Sequence, residues 1–350
     1  MTIHLLSGFL GSGKTTAIQQ AVRFLVEEGI RVGVITNDQG SKLVDAGLFN
    51  GLGVPSREVI NGCFCCNYHD LESGIESLLS VHNVEGIFAE SVGSCTDIVA
   101  TVLKPLLQRR REAIITFSVF ADGCLLQMIL EDRGSFDETV RYIYKKQLEE
   151  AGIIVVTKVD LIMPEQLHQI ENRLQMCYPS KTLIFQNSFV KDDIQRWLML
   201  LNTHTIPTLN SLEIDYDQYA VGEAKMAWLD QLIEVFSTTA DAMKVAENII
   251  NKIIQKIRAE RLPVGHLKFL LDDTIKISFT SCDESPIVLP TQQVNTISLL
   301  INMRVETTPG RLMQIVNDVI EETKHTAQAA IIVNSQSAFQ PGYPTPAFRL

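Results

Sequence analysis

The stretch Gly8–Thr16, GFLGSGKTT, fills every position of the pattern G-x-x-x-x-G-K-[ST]. Gly8, Gly11 and Gly13 allow backbone N–H groups to converge on phosphate oxygens, and Ser12 and Thr16 complete the cradle. Lys14 is placed to reach the β- and γ-oxygens, and the Thr15 hydroxyl to ligate Mg²⁺. The positive end of the helix expected from about Lys14 adds to anion binding. Farther along, Gly62–Cys66 reads GCFCC. Cys63, Cys65 and Cys66 put three thiolates on one short loop, a ligand set for a soft or borderline ion such as Zn²⁺ or Co²⁺. A closed tetrahedral site needs a fourth ligand. Asp38, His69 and Cys95 are the candidates; without one the site stays open, which suits transfer more than permanent structure. Two other readings of the triplet are buried small hydrophobes and a redox pair, but the spacing is not C-x-x-C alone. Cys124, Cys177 and Cys282 are scattered and read as packing residues.

Thr157–Asp160, TKVD, follows the apolar run Ile153–Val156. This is where a P-loop GTPase carries N-K-x-D. The Asp160 carboxylate is suited to accept hydrogen bonds from guanine N1–H and the 2-amino group. Lys158 would lie over the base by its aliphatic stem, and Thr157 replaces the asparagine of that pattern. Glu90 closes another strand and precedes SVGS. A carboxylate there is suited to hold a water on Mg²⁺, and Gly93 points to a mobile loop near the γ-phosphate.

The elements that must position these groups alternate. Candidate strands are Ile3–Leu6, Val32–Thr36, Gly86–Ala89, Ile114–Val119, Ile153–Thr157 and Thr182–Phe185. Helical spacing lies between them, as in Ala17, Ile18, Ala21, Val22, Leu25 and Val26. Buried strands alternating with amphipathic helices predict an α/β domain with a mainly parallel sheet covered on both faces. The cysteines fall between a strand-like EVI and a helix that Asp70 is suited to cap. The pattern breaks in a polar stretch containing Pro207. The expected organisation is a P-loop domain over 1–204, a linker over 205–221 and a smaller α+β domain over 222–350. In the last, a strand at Met226–Phe236, a helix at Asp241–Glu260, strands at His266–Leu271, Lys276–Thr280 and Ser298–Val305, a helix at Gly310–Glu322 and a strand at Ala329–Val333 are expected. The tail QPGYPTPAFRL has three prolines in six residues and reads as irregular.

Composition narrows the partners. The 350 residues carry a net charge of −11, and Arg109–Arg111 is the densest basic cluster. Nucleic acid and anionic membranes are therefore not expected partners. No apolar run approaches the roughly 20 residues of a membrane span. The N-terminus enters a strand without the pattern of a secretory signal. Three of the seven cysteines fall within four positions, which argues for metal or thiol chemistry over a disulfide framework. A cytoplasmic protein is expected.

Together these segments resemble the CobW/HypB/UreG family of metal-site GTPases, most closely its CobW-like metallochaperone branch. GFLGSGKTT matches that branch's loop, and GVITNDQG looks like its first switch segment, with Asp38 where glutamate is usual. GCFCC matches its cysteine motif, AESVGS resembles its second switch, and QLEEAGIIVVTKVDL the approach to its guanine loop. The resemblance covers about the first two hundred residues. It implies a slow GTPase that uses GTP and Mg²⁺ and delivers Zn²⁺ or another transition metal to a client metalloprotein or metal-cofactor enzyme, with a homodimer as one assembly. Lys14, Glu90 and Asp38 would serve the hydrolytic step. The family's histidine-rich segment is missing, the seven histidines being scattered, so metal storage is not expected. A P-loop small-molecule kinase and a non-catalytic nucleotide-binding scaffold are the alternatives.

Overall fold

Strands rich in Ile, Val, Leu and Phe build the core of a seven-stranded, wholly parallel sheet in a computed structural model that describes residues 1–40, 49, 51–133, 135–203, 210–280, 285–327 and 329–350. The strands are β1 (Thr2–Gly8), β2 (Val32–Asn37), β3 (Ser56–Val59), β4 (Gly86–Glu90), β5 (Ile114–Asp122), β6 (Ile153–Thr157) and β7 (Thr182–Gln186), in the order β3-β2-β4-β1-β5-β6-β7. Both faces are covered, so the central strands have no polar alternation to show. Ile3, Leu5 and Leu6 of β1 and Val34 and Ile35 of β2 are all fully buried. Helix α1 (Lys14–Glu27) packs Ala17, Ile18, Ala21 and Val22 inward, as the spacing predicts, whereas Leu25 is only half-buried and Val26, in the last turn, is exposed.

Register puts the chemistry on one edge. Leu6 of β1 pairs with Glu90, Gly8 with Phe120, Asp122 with Thr157, and Asn37 with Val59. The carboxyl ends of five strands therefore open into the loops that carry the motifs, the place where parallel α/β sheets bind ligands.

Local differences from the sequence reading have simple causes. The helix after the cysteines, α2 (Tyr68–His82), starts ahead of Asp70, with Asn67 at its N-cap position. Cys66 and Asn67 already donate their N–H groups to the Cys63 carbonyl and begin the turn early. Asp70 sits in the first turn, where its charge still complements the positive helix end. Cys177 is exposed at the end of a helix rather than packed, and Cys282 lies outside the described residues.

The first of two compact units extends to Gly222 and takes in the last eight residues, Tyr343–Leu350; the second covers Glu223–Gly342. Of the stretch expected as a linker, 204–209 lie outside the described residues, and Tyr216–Lys225 is helical. Tyr216 donates to Asp97 at 2.7 Å, and Thr96 N–H donates to Tyr219 at 3.4 Å. These bonds hold the start of that helix in the first unit.

The second unit is a five-stranded antiparallel sheet of β8 (Met226–Ser237), β9 (Val264–Leu271), β10 (Ile275–Phe279), β11 (Thr296–Glu306) and β12 (Ala329–Phe339), in the order β10-β9-β11-β8-β12. Two 18-residue helices, Ala242–Ala259 and Pro309–Thr326, pack on one face, with Val245, Ile249, Ile253 and Ile257 of the first buried. The expected strand–helix–strand–strand–strand–helix–strand order is the one observed.

Candidate functional site

The phosphate loop is shaped by close backbone approach. Gly8 has φ +132°, and a Cβ there would meet the Phe120 carbonyl oxygen at 2.1 Å. No other residue fits, because β5 lies directly against the turn. Lys14 is buried inside the loop, and its Nζ donates to the carbonyls of Gly8 at 2.6 Å and Phe9 at 3.2 Å. Thr15 Oγ1 donates to Glu90 Oε1 at 2.9 Å. The structure thus brings together a hydroxyl and a carboxylate from β1–α1 and β4, the donor pair that a hard divalent cation takes. Their chemistry fits Mg²⁺.

Thr157, at the end of β6, faces the same loop. Its Oγ1 donates to the Ser12 carbonyl at 2.8 Å, and the Ala121 carbonyl lies 3.2 Å from it. Thr157 therefore ties the loop that carries Lys158 and Asp160 to the phosphate loop. Lys158 adopts φ +57° and places Nζ 2.5 Å from Asp122 Oδ2. Asp122 is buried at the end of β5, where its Oδ1 also accepts from Cys124 and Leu125 N–H and caps the helix Gly123–Leu130. Sequence reasoning did not single out Asp122. Its only signal was an aspartate between a strand and a helix. Asp160 is exposed on the 3₁₀ turn Val159–Leu161.

The loop after β4 is packed rather than open. A Cβ on Gly93 would stand 2.8 Å from Leu10 Cδ2 and 2.9 Å from Leu10 N, so the glycine serves close approach to the phosphate loop. Gln147 Nε2 donates to the carbonyls of Gly93 at 3.0 Å and Cys95 at 2.7 Å. Glu150 accepts from Thr96 Oγ1 at 3.2 Å and Val99 N–H at 3.1 Å. That second bond occupies a backbone donor at the mouth of the π-helical turn Val99–Leu103. Burial pushes the Glu150 carboxyl up to about 8.

The cysteine loop hangs from β2. Asn37, also missed from sequence, is buried at the strand end. Its Nδ2 donates to the carbonyls of Val59 at 2.9 Å and Gly62 at 2.7 Å, and its Oδ1 accepts from Phe64 N–H at 2.8 Å. Asp38, next in the chain, accepts from Gly40 N–H at 2.7 Å. The thiols of Cys63, Cys65 and Cys66 lie within 4.8 Å of one another, the one such metal-capable group among the described residues. Sulfur separations are 2.7 Å for Cys63–Cys65, 3.3 Å for Cys63–Cys66 and 3.8 Å for Cys65–Cys66. A tetrahedral zinc–thiolate site has S···S edges of about 3.8 Å, from bonds of about 2.3 Å. One edge is already at that length, and the others need to open by about 1 Å or less.

Hydrogen bonds from the neighbouring thiols hold Cys63 well below the usual thiol range. Cys65, engaged by Cys63 and buried, is pushed well above it, and Cys66 upward. The three thiols are thus unequal, and an entering ion displaces the protons they carry. The three candidate fourth ligands part company. His69 is exposed on α2 with its ring against Phe348, and Asp38 is engaged with Gly40. Cys95 is fully buried and touches Cys63 and Cys65.

The irregular tail crosses this loop. Ala347 N–H donates to the Cys65 carbonyl at 2.8 Å, and Leu350 N–H to the Ala100 carbonyl at 3.0 Å. Phe348 packs edge-on to Tyr68 with ring centroids 5.1 Å apart, and Arg349 Nε donates to Asp97 Oδ2 at 2.8 Å.

Residues 2–185, more than half of the chain, match the CobW/HypB/UreG nucleotide-binding domain. Among curated relatives, the zinc chaperone YeiR of Escherichia coli K12 is 27% identical over 190 residues, 52% of this chain and 53% of that protein. The zinc chaperone YjiA of the same organism is 28% identical over 190 residues, 52% of this chain and 57% of that protein. The chain thus spans about half the length of the curated relatives it matches. A solved structure of HypB from Helicobacter pylori in complex with nickel aligns with TM-score 0.45 and 15% identity, over 60% of this chain and 91% of that one. With the domain match extending over its nucleotide-binding half, this chain belongs to the CobW/HypB/UreG family.

Proposed function

We propose that the protein is a GTP-binding switch of slow turnover. It carries a Zn²⁺ or similar transition-metal ion on Cys63, Cys65 and Cys66 and passes it to a client metalloprotein. The observation that carries this reading is the cluster of three thiols within 4.8 Å, on a loop hung from a strand end of the sheet edge that forms the phosphate loop. The relatives named zinc chaperones support the choice of cargo.

In this reading the loop amides from Gly8 to Thr16 and Lys14 bind the phosphates. Lys14 would exchange its bonds to the Gly8 and Phe9 carbonyls for phosphate oxygens. Mg²⁺, when bound, supplies charge neutralisation to the β- and γ-phosphates. Thr15 would hold it directly and Glu90 through water. Asp160 selects guanine, while Lys158, positioned by Asp122, flanks the base. Asp38 and the segment after Glu90 respond to the γ-phosphate, which orders such loops and releases them on hydrolysis. An odd count of seven cysteines, three of them clustered, fits a cytoplasmic site of action.

The test is a Co²⁺ titration of reduced, nucleotide-loaded protein against Cys65→Ser/Cys66→Ser. Thiolate-to-metal absorption in the wild type and its loss in the variant are expected. A variant that binds Co²⁺ like the wild type overturns the cargo assignment. Linkage adds a second requirement: metal must change the affinity for a GTP analogue by the factor by which that analogue changes metal affinity. Competition favouring ATP over GTP would point instead to a kinase.

A further inference from the structure

Three sulfurs leave a tetrahedral ion with an open position, and the structure offers a fourth. Cys95 is 57 residues from Asp38 and 29 from Cys66 in sequence, yet its thiol is in hydrogen-bonding contact with those of Cys63 and Cys65. The residue is fully buried. Its backbone is fixed at both ends: N–H donates to the Val92 carbonyl at 3.1 Å, and its carbonyl accepts from Gln147 Nε2 at 2.7 Å. These two bonds keep the thiol beside the cluster in this conformation. Cys95 stands outside the group of three sulfurs that lie within 4.8 Å of one another, so its thiol must close on that group for all four to share an ion.

We propose that Cys95 is the fourth sulfur ligand of the cargo site, making it a four-cysteine set assembled from two loops. This rests on the reading that the C-x-C-C thiols take a soft or borderline ion. Cys63, Cys65 and Cys66 come from the loop that Asn37 hangs on β2, and Cys95 from the loop that follows Glu90 on β4. An ion among the four sulfurs takes a thiolate from each, with the protons released to solvent. It draws Cys66 and Cys95 to the same edge length as the other pairs.

The second loop is tied to the phosphate loop. Glu90 is bonded to Thr15, and Gly93 lies against Leu10 of the phosphate loop. A shift of this loop with the γ-phosphate moves one ligand of four while three stay on their own loop. Withdrawing Cys95 opens a coordination position for an incoming client ligand, the step a transfer site requires and a closed structural site prevents.

The experiment is zinc K-edge X-ray absorption together with Co²⁺ spectroscopy on the full-length, reduced protein. The set comprises wild type, Cys95→Ser, Cys95→Ala and Cys65→Ser/Cys66→Ser, each first checked for binding of a GTP analogue. Wild type is expected to show four sulfurs at about 2.3 Å. Cys95→Ser and Cys95→Ala are expected to keep one bound ion with three sulfurs and one lighter ligand, and to lose at least about tenfold in affinity. Three sulfurs in the wild type, or an unchanged spectrum in both Cys95 variants, overturns the proposal while leaving the C-x-C-C site standing. A wild type that binds no ion, or a double variant that binds as the wild type does, overturns the underlying reading as well. The wild-type sulfur count decides the question even if neither Cys95 variant folds.

Discussion

Asn37 illustrates what one side chain does in this protein. Three hydrogen bonds from a single buried amide hold both ends of the cysteine loop to the end of β2. Asn37→Ala leaves the Val59 and Gly62 carbonyls and the Phe64 N–H without these partners in a buried place. A loss of about 1–3 kcal/mol in folding stability is expected, together with weaker Co²⁺ binding. Asn37→Asp keeps the acceptor for Phe64 but turns an acceptor toward two carbonyls, and is expected to be at least as damaging. Chemical denaturation beside a metal titration checks both, and wild-type metal affinity in Asn37→Ala would sink the idea. Thr157 and Asp122 act at the same scale. The first joins the Thr157–Asp160 loop to the phosphate loop, and the second caps a helix while holding Lys158. The Asp122 cap is local, but its hold on Lys158, the Thr157 tie and the Asn37 bonds are not legible from spacing, because each depends on which strand ends the sheet makes adjacent.

At the scale of elements, the C-terminal tail is a strap over α2 and the cysteine loop. Its sequence reads correctly as irregular, since its prolines deny it N–H groups for a ladder. Its course was not legible, because the bonds that fix it, from Ala347 to Cys65 and from Arg349 to Asp97, join residues hundreds of positions apart. Phe348→Ala removes a ring packed on Tyr68 and His69 and beneath the Arg109 guanidinium. The expected result is about 1 kcal/mol less stability and faster alkylation of Cys66, the half-exposed thiol of the triplet. Alkylation at the wild-type rate would show that the strap does not shield it. In the second unit, Arg304 is fully buried on β11, 2.8 Å from Asp230 and with its guanidinium 4.0 Å from the Trp228 ring centroid. Arg304→Ala leaves the Asp230 charge buried without that partner and is expected to cost about 3–5 kcal/mol, whereas Arg304→Met with Asp230→Leu should be far milder. Thermal unfolding of the three proteins distinguishes the two outcomes.

For the whole molecule, two buried groups set opposed slopes of stability against pH. Burial lowers His4 to about 4, where its ring is 2.8 Å from Thr116 Oγ1. The folded protein keeps it neutral while the unfolded chain protonates near 6.5, so its contribution is lost as pH falls from about 6.5 toward 4. Glu150 is raised from 4.5 to about 8. The folded protein keeps it protonated while the unfolded chain ionises, so its contribution is lost as pH rises from about 4.5 to 8. Between about 4.5 and 6.5 the two slopes, each up to about 1.4 kcal/mol per pH unit, cancel. Relative to wild type, Glu150→Gln is expected to tilt this window toward greater stability at higher pH, and His4→Gln toward greater stability at lower pH. Urea midpoints measured across pH 4.5 to 6.5 check the signs; parallel curves for all three proteins would refute the assignment. No helix among the described residues is long and apolar enough to cross a membrane.

The sequence by itself determined the sheet, the phosphate loop and the thiol triplet. Each is written in contiguous residues whose backbone demands are local: glycines for a tight turn, β-branched runs for buried strands, three cysteines within four positions. Only the tertiary structure decided what these pieces touch. Parallel strands take neighbours far away in the chain, so β4 came to lie between β1 and β2. That placement brings Glu90 to Thr15 and Cys95 to the thiols of Cys63 and Cys65. Hydrogen bonds of this kind are fixed by strand order and register, and a linear motif carries neither.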